Sequence, residues 1–149
     1  MTIIDLLNLT TPFANGSNQF TIELVNMNSN DGKKYYENII NLYVQLNCGI
    51  YAICDSGSQQ VLYIGKGGTI QNDGTFKNQN LNGRLKAPRG AYSNSYSYFL
   101  NVMLQHNFDS LIFLIIYSNP NSPPAYIESV SLLQYLSQNN CLPMFNHEF

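Results

Sequence analysis

Hydrophobic and polar positions change period several times along the chain, and each change predicts an element. Ile3, Ile4, Leu6, Leu7 and Leu9, broken at Thr11-Pro12 and Asn15-Gly16, predict a short helix. From Gln19 to Val25, Phe20, Ile22 and Leu24 alternate with Thr21 and Glu23, the period of a strand. Tyr36, Ile39, Ile40, Tyr43 and Val44 recur at helical spacing behind a capping Asp31, which predicts a helix to about Leu46 with Lys33, Lys34 and Glu37 on its solvated face. Cys48 to Cys54 reads as a strand with Ile50, Ala52 and Cys54 on one side and Gly49, Tyr51 and Ile53 on the other. The turn residues Asp55-Ser56-Gly57-Ser58 return the chain into a second strand, Gln60 to Gly65, with Val61 and Tyr63 on one face. A hairpin symmetric about Gly57 sets Tyr51 directly opposite Tyr63.

Beyond Gly67-Gly68, the polar stretch Thr69 to Asn80 predicts an exposed loop with a turn at Asn72-Asp73-Gly74. From Asn94, the spacing of Tyr96, Phe99, Leu100, Met103 and Leu104 is helical, and the apolar run Ser110 to Tyr117 predicts a buried central strand. Ser122 is placed to cap a helix over about 124–138 that buries Ile127, Val130, Leu133 and Leu136 and ends at Asn139-Asn140. The sum is an α+β fold: a small central antiparallel or mixed sheet, made of the hairpin 48–65 and the strand 110–117, flanked by helices. At 149 residues the chain has the length of one domain, able to bury roughly 70% of its unfolded surface.

Charge narrows the chemistry. Only 11% of residues are charged, against about 25% ordinarily, and 21 Asn residues supply much of the polarity. A net charge of -2 argues against broad basic-surface binding of nucleic acid. Five of the seven basic residues nevertheless cluster between 66 and 89: Lys66, Lys77, Arg84, Lys86 and Arg89. Cys48, Cys54 and Cys141 have no metal-type spacing and are expected as reduced thiols, and His106 and His147 lack partners at metal or catalytic spacing. With no basic leader and no apolar run of ~20 residues, a soluble, cytoplasmic protein with no membrane association is expected.

Two tyrosines on one hairpin, a lysine, an arginine beyond a loop and an acid on a later helix are parts suited to phosphodiester hydrolysis. Cations stabilise charge growing on phosphate oxygens, and Mg²⁺ needs only one or two carboxylates beside water and phosphate oxygens. Gly49-Ile50-Tyr51, eleven residues, then Tyr63-Ile64-Gly65 resembles the signature of the GIY-YIG nuclease superfamily. The resemblance covers residues 47–149 and continues through Lys66, Arg84, Glu128 and the closing Pro143-Met144-Phe145-Asn146, leaving residues 1–46 as an N-terminal arm packed on or extending that domain.

What the resemblance implies is specific. Tyr51 is the expected general base or water-orienting phenol, Tyr63 its partner near the scissile phosphate, and Lys66 a phosphate contact or a cation depressing the Tyr51 pKa. Arg84 would bind the phosphate, Glu128 would be the sole protein ligand to Mg²⁺ or Mn²⁺, and Asn146 would brace the site. Lys66, Lys77, Lys86, Arg89 and Tyr92 are expected to touch nucleic acid, Arg89 as a DNA-backbone contact. Two positions depart from the family pattern. Pro88 stands where many members carry His or Tyr, with Tyr92 the nearest phenol, and the commoner helix-to-tail interval lands on Gln134 where the assignment here is Glu128.

The implied activity is that of a metal-dependent DNA endonuclease. A stand-alone, restriction-like enzyme ranks ahead of a homing nuclease because the chain runs only three residues past Asn146; two subunits in a homodimer or higher oligomer would serve a double-strand cut. A structure-specific repair nuclease and a catalytically silent nucleic-acid or protein binding module on the same fold are the other readings.

Overall fold

The run 110–117 has no polar side, so a strand made from it must be covered on both faces. The computed structural model, which describes residues 1–149, buries it in that way. The chain forms α1 (Ile3–Thr10), a 3-10 turn (Thr11–Phe13), β1 (Ala14–Glu23), α2 (Leu24–Met27), α3 (Gly32–Tyr43), β2 (Gly49–Asp55) and β3 (Val61–Gly67). It continues through β4 (Thr69–Ile70), β5 (Phe76–Lys77), α4 (Leu81–Arg84), α5 (Ser95–His106), β6 (Ser110–Ser118) and α6 (Pro124–Asn139).

The main sheet is antiparallel throughout, in the order β1-β6-β2-β3. Alternate residues of β6 feed two cores. Leu111, Phe113, Ile115 and Tyr117 pack with Tyr36 and Ile40 of α3 and Phe99 and Met103 of α5. Ile112, Leu114 and Ile116 pack with Ile3 and Leu6 of α1 and Ile127 and Leu132 of α6. Full burial of each such side chain contributes about 1.5–3 kcal/mol, so this strand is the anchor of the fold. Residues 1–46 supply β1, hydrogen-bonded along one edge of β6, and part of both helical layers.

The α+β class, the hairpin and the central strand agree with the sequence reading, while several boundaries and faces differ. β1 starts at Ala14 and stops at Glu23, because pairing with β6 carries the strand through Asn15-Gly16 by an irregularity between Ala14 and Ser17, and the chain then turns into α2. Asp31 and Pro123 hold the caps of α3 and α6 without a side-chain capping bond, so Ser122, itself buried, does not cap α6. α6 is rotated from the expected face: Ile127, Ser131 and Leu132 are buried, whereas Leu133 and Leu136 are exposed. The 69–80 stretch contains the β4–β5 hairpin, held at its tip by Asp73, whose carboxylate accepts from the Thr75 amide and hydroxyl.

β3 is an edge strand, and bare edges invite further pairing. Both ends of the chain close it. The Val61 amide donates to Met1 O (3.0 Å), the Phe145 amide donates to Leu62 O (2.9 Å), and Asn146 pairs with Ile64 through both side-chain amide atoms. No helix is long and apolar enough to cross a membrane.

Candidate active site

β2 and β3 place the two tyrosines side by side, though not by the symmetry expected. A bulge near Leu62 sets Ile53 opposite Tyr63 and Tyr51 opposite Gly65, and it sends Val61 to the face opposite Tyr63. The rings nevertheless meet, with centroids 5.6 Å apart, because Gly65 leaves the space between them. A Cβ at Gly65 would lie 2.7 Å from Tyr63 Cε1 and 2.8 Å from the Tyr51 hydroxyl. Gly67 does a similar job at the strand end, where a Cβ would lie 2.8 Å from the Leu81 amide nitrogen. This close approach brings α4, capped by Asn80 onto the Gly83 amide, against β3 and so carries Arg84 to the end of the hairpin.

A polar pocket of about 260 Å³ opens there, lined by Tyr63, Lys66, Arg84 and Glu128 together with Thr69 and Gln79 among others. Lys66 comes from β3, Arg84 from α4 and Glu128 from the first turns of α6. Burial raises the Glu128 pKa, while Lys66 and then Arg84 act to lower it. A second hollow of about 340 Å³ shares Tyr63 and Glu128 and is lined on its far side by Leu132, Phe145, Asn146 and His147. Asn146 therefore stands at the rim and grips β3 next to Tyr63: its Oδ1 accepts from the Ile64 amide (2.9 Å) and its Nδ2 donates to Ile64 O (2.8 Å). Gln134 lines neither hollow.

Tyr51, expected at the centre of the chemistry, is completely buried and lines neither hollow; Tyr63, half-buried, is the hydroxyl-bearing ring that does. Burial pushes the Tyr51 phenol well above its ordinary range, with Arg89 pulling it down. Arg89 departs most from expectation. It is only 9% exposed, not a surface contact, and its Nη2 donates to the Tyr51 hydroxyl (2.5 Å) while its Nε donates to Ser95 Oγ (3.0 Å). The guanidinium lies 5.1–5.8 Å from the ring centroids of Phe99, Tyr51, Tyr63 and Tyr98. Burial disfavours this cation, but the neighbouring Tyr51, Tyr63 and Tyr36 hold its pKa above the ordinary value. Ser95 and Tyr98, which complete this nest, carry no distinguishing signal in the sequence.

The remaining basic and aromatic candidates scatter. Lys77 is exposed on the β4–β5 hairpin, at the side where Thr69, Asn78 and Gln79 line the pocket. Lys86 is drawn away to Asn41 Oδ1 of α3, and Tyr92 packs edge-on against Tyr98 at 5.8 Å. His106 packs against Phe108 and Phe145, clear of any ligand set. The three cysteines are free thiols.

No group of three or more His, Cys, Asp and Glu side chains is arranged to hold a metal ion. A lone carboxylate at the mouth of a cation-lined pocket fits a hard divalent ion that draws its other ligands from water and phosphate oxygens. It does not fit a closed structural site, which needs four protein ligands. The chain matches no family model, no curated protein and no solved structure.

Proposed function

We propose that this chain is a metal-dependent phosphodiester hydrolase of the GIY-YIG type that acts on DNA. The observation that carries this reading is the convergence of Tyr63, Lys66, Arg84 and Glu128, from three separate elements, on one polar pocket beside the paired tyrosines. Such a pocket suits a phosphodiester: Lys66 and Arg84 meet the charge that grows on the non-bridging oxygens as water adds to phosphorus and the bond to the leaving oxygen breaks. Tyr63 is the phenol positioned to orient the attacking water, with Tyr51 behind it and Asn146 holding the strand that carries it. Glu128 would hold Mg²⁺ or Mn²⁺, which when bound supplies further stabilisation of phosphate charge.

A second reading, a binding module on the same scaffold, is favoured by the enclosed Tyr51 hydroxyl and by Pro88 in place of a side chain able to move a proton. Supercoiled plasmid and branched DNA, each incubated with Mg²⁺, Mn²⁺ or chelator, separate the two. Cutting that needs metal, that falls by about 10²–10³ in Arg84→Ala and that is lost in Glu128→Ala is the expected result. Wild-type protein that binds DNA in a salt-dependent way and cuts none of it under any metal would establish the binding module instead.

A further inference from the structure

Arg89 is the only charged side chain buried in this protein, and no acid answers it. The single ion pair in the chain is Lys33–Glu37, on the surface of α3. The titratable groups facing the guanidinium are all phenols: Tyr51 on β2, Tyr63 on β3, Tyr36 on α3 and Tyr98 on α5. A buried charge without a counterion is costly to the fold, and an apolar side chain of similar volume commonly serves stability as well or better. The fold alone therefore gives a weak reason for an arginine at this position.

We propose that Arg89 is a positioning residue of the candidate site, fixing the Tyr51 hydroxyl so that the tyrosine pair presents Tyr63, and not Tyr51, to the phosphate pocket. A guanidinium can only donate, so the oxygen of Tyr51 accepts from Nη2 and its own O–H must point elsewhere. Tyr63 lies alongside, its ring 5.6 Å from that of Tyr51 and on the wall shared by both hollows. The guanidinium is itself held firmly. Ser95 Oγ accepts from Nε and donates to Ala87 O (2.6 Å), and main-chain bonds exchanged between Arg89 and Tyr92 (3.1 and 2.8 Å) fix the backbone. Arg89 lines neither hollow, so it acts through Tyr51 and not by touching phosphate. The inference rests on the nuclease reading only for which reaction the pair serves.

Arg89→Met and Arg89→Lys test it in the full chain, by thermal melting, by NMR of tyrosine labelled at the ring carbon bearing the hydroxyl, and by cleavage kinetics against pH. Arg89→Met is expected to melt at or above the wild-type temperature. The Tyr51 and Tyr63 resonances should move while that of exposed Tyr126, which packs against Phe13, stays in place. In cleavage, kcat should fall about 100-fold with KM little changed, the loss typical of a misplaced reacting group. The rising limb of the pH profile should move up, since removing the guanidinium takes away the cation that pulls the Tyr51 phenol down. Arg89→Lys, which keeps the charge but not the fork, should recover part of the rate. A melting temperature several degrees lower with the Tyr63 resonance unmoved would make Arg89 a core filler and overturn the proposal. Should Arg89→Met fail to fold, a folded Arg89→Lys with both tyrosine resonances unmoved overturns it equally. Wild-type protein that cuts no DNA sinks the nuclease reading alone, and the melting and resonance results still decide the role of Arg89.

Discussion

Replacing Gly65 by Ala tests the central geometric claim, that the tyrosine pair exists because this position has no side chain. The backbone at Gly65 lies outside the left-handed region, so Ala meets no conformational penalty and, in the unfolded chain, loses about 0.5–1 kcal/mol worth of freedom that would favour the variant. The added methyl instead meets three atoms at once: Tyr63 Cε1 at 2.7 Å, and Tyr51 Cζ and hydroxyl at 2.8 Å. Contacts this short cannot persist, and one ring must yield. Tyr51 is enclosed and bonded to Arg89, so Tyr63, half-buried against the pocket, is the ring that moves. Overpacking of this kind costs about 1–3 kcal/mol, which leaves a net destabilisation of about 0–2.5 kcal/mol, centred on about 1 kcal/mol, after the chain-entropy gain. For a domain of this length the central value is a fall in Tm of about 2–4 °C, measurable by calorimetry, together with loss of any cleavage that depends on Tyr63. A Gly65→Ala protein with unchanged or raised Tm and full activity would refute the reasoning, since the rings would then not need the gap.

Asn146→Ala removes both bonds to Ile64, each with a net contribution of about 0.5–1.5 kcal/mol, so stability should fall by about 1–3 kcal/mol and the Ile64 amide should exchange with solvent much faster. Unchanged Ile64 protection would mean that the tail does not close this edge. Glu128 has a folded-state pKa raised above its ordinary 4.5, chiefly by burial. The folded protein therefore binds that proton more tightly than the unfolded chain, and the associated stability is complete below 4.5 and declines as pH rises through the raised value. Glu128→Gln should consequently melt above wild type at pH 7, with the gap closing toward pH 4, and Mg²⁺ should raise the Tm of wild type alone; a gap that widens in acid contradicts the assignment. Burial pushes the Cys54 thiol up to about 12, so a thiol reagent applied to native protein should label exposed Cys141 and leave Cys54 unmodified until the chain unfolds. Rapid native labelling of Cys54 would show that β2 opens.

What the sequence conveyed about the fold follows from which forces are local. The apolar run of β6 and the alternation of β2 are periodic signals, and both strands form where expected. Missed features are those decided by a partner distant in sequence. β1 begins five residues early because β6 is there to pair with it, and the bulge near Leu62 leaves Tyr63 opposite Ile53, a register that no symmetric count about Gly57 anticipates. The face of α6 differs for a related reason. Leu133 and Leu136 have the hydrophobicity of core residues, but the small Ser131, bonded back to Ile127 O, is what fits under the sheet.

The candidate site divides along the same line. The resemblance to the GIY-YIG signature points to Tyr63, Lys66, Arg84, Glu128 and Asn146, all of which stand at the pocket or its rim. The roles within the tyrosine pair were not readable, since they turn on which ring faces solvent, and that is set by Arg89 arriving from a turn 38 residues beyond Tyr51. In a list of basic residues, Arg89 resembles its neighbours Arg84 and Lys86, and formal charge alone assigns all three to a surface. Its environment separates it: four aromatic rings and Ser95 enclose it, whereas Arg84 opens onto a cavity and Lys86 reaches Asn41. A buried arginine whose titratable neighbours are all phenols must direct its hydrogen bonds to neutral oxygens, and here these are Ser95 Oγ and the hydroxyl of Tyr51, which lies directly behind the phenol that meets the pocket.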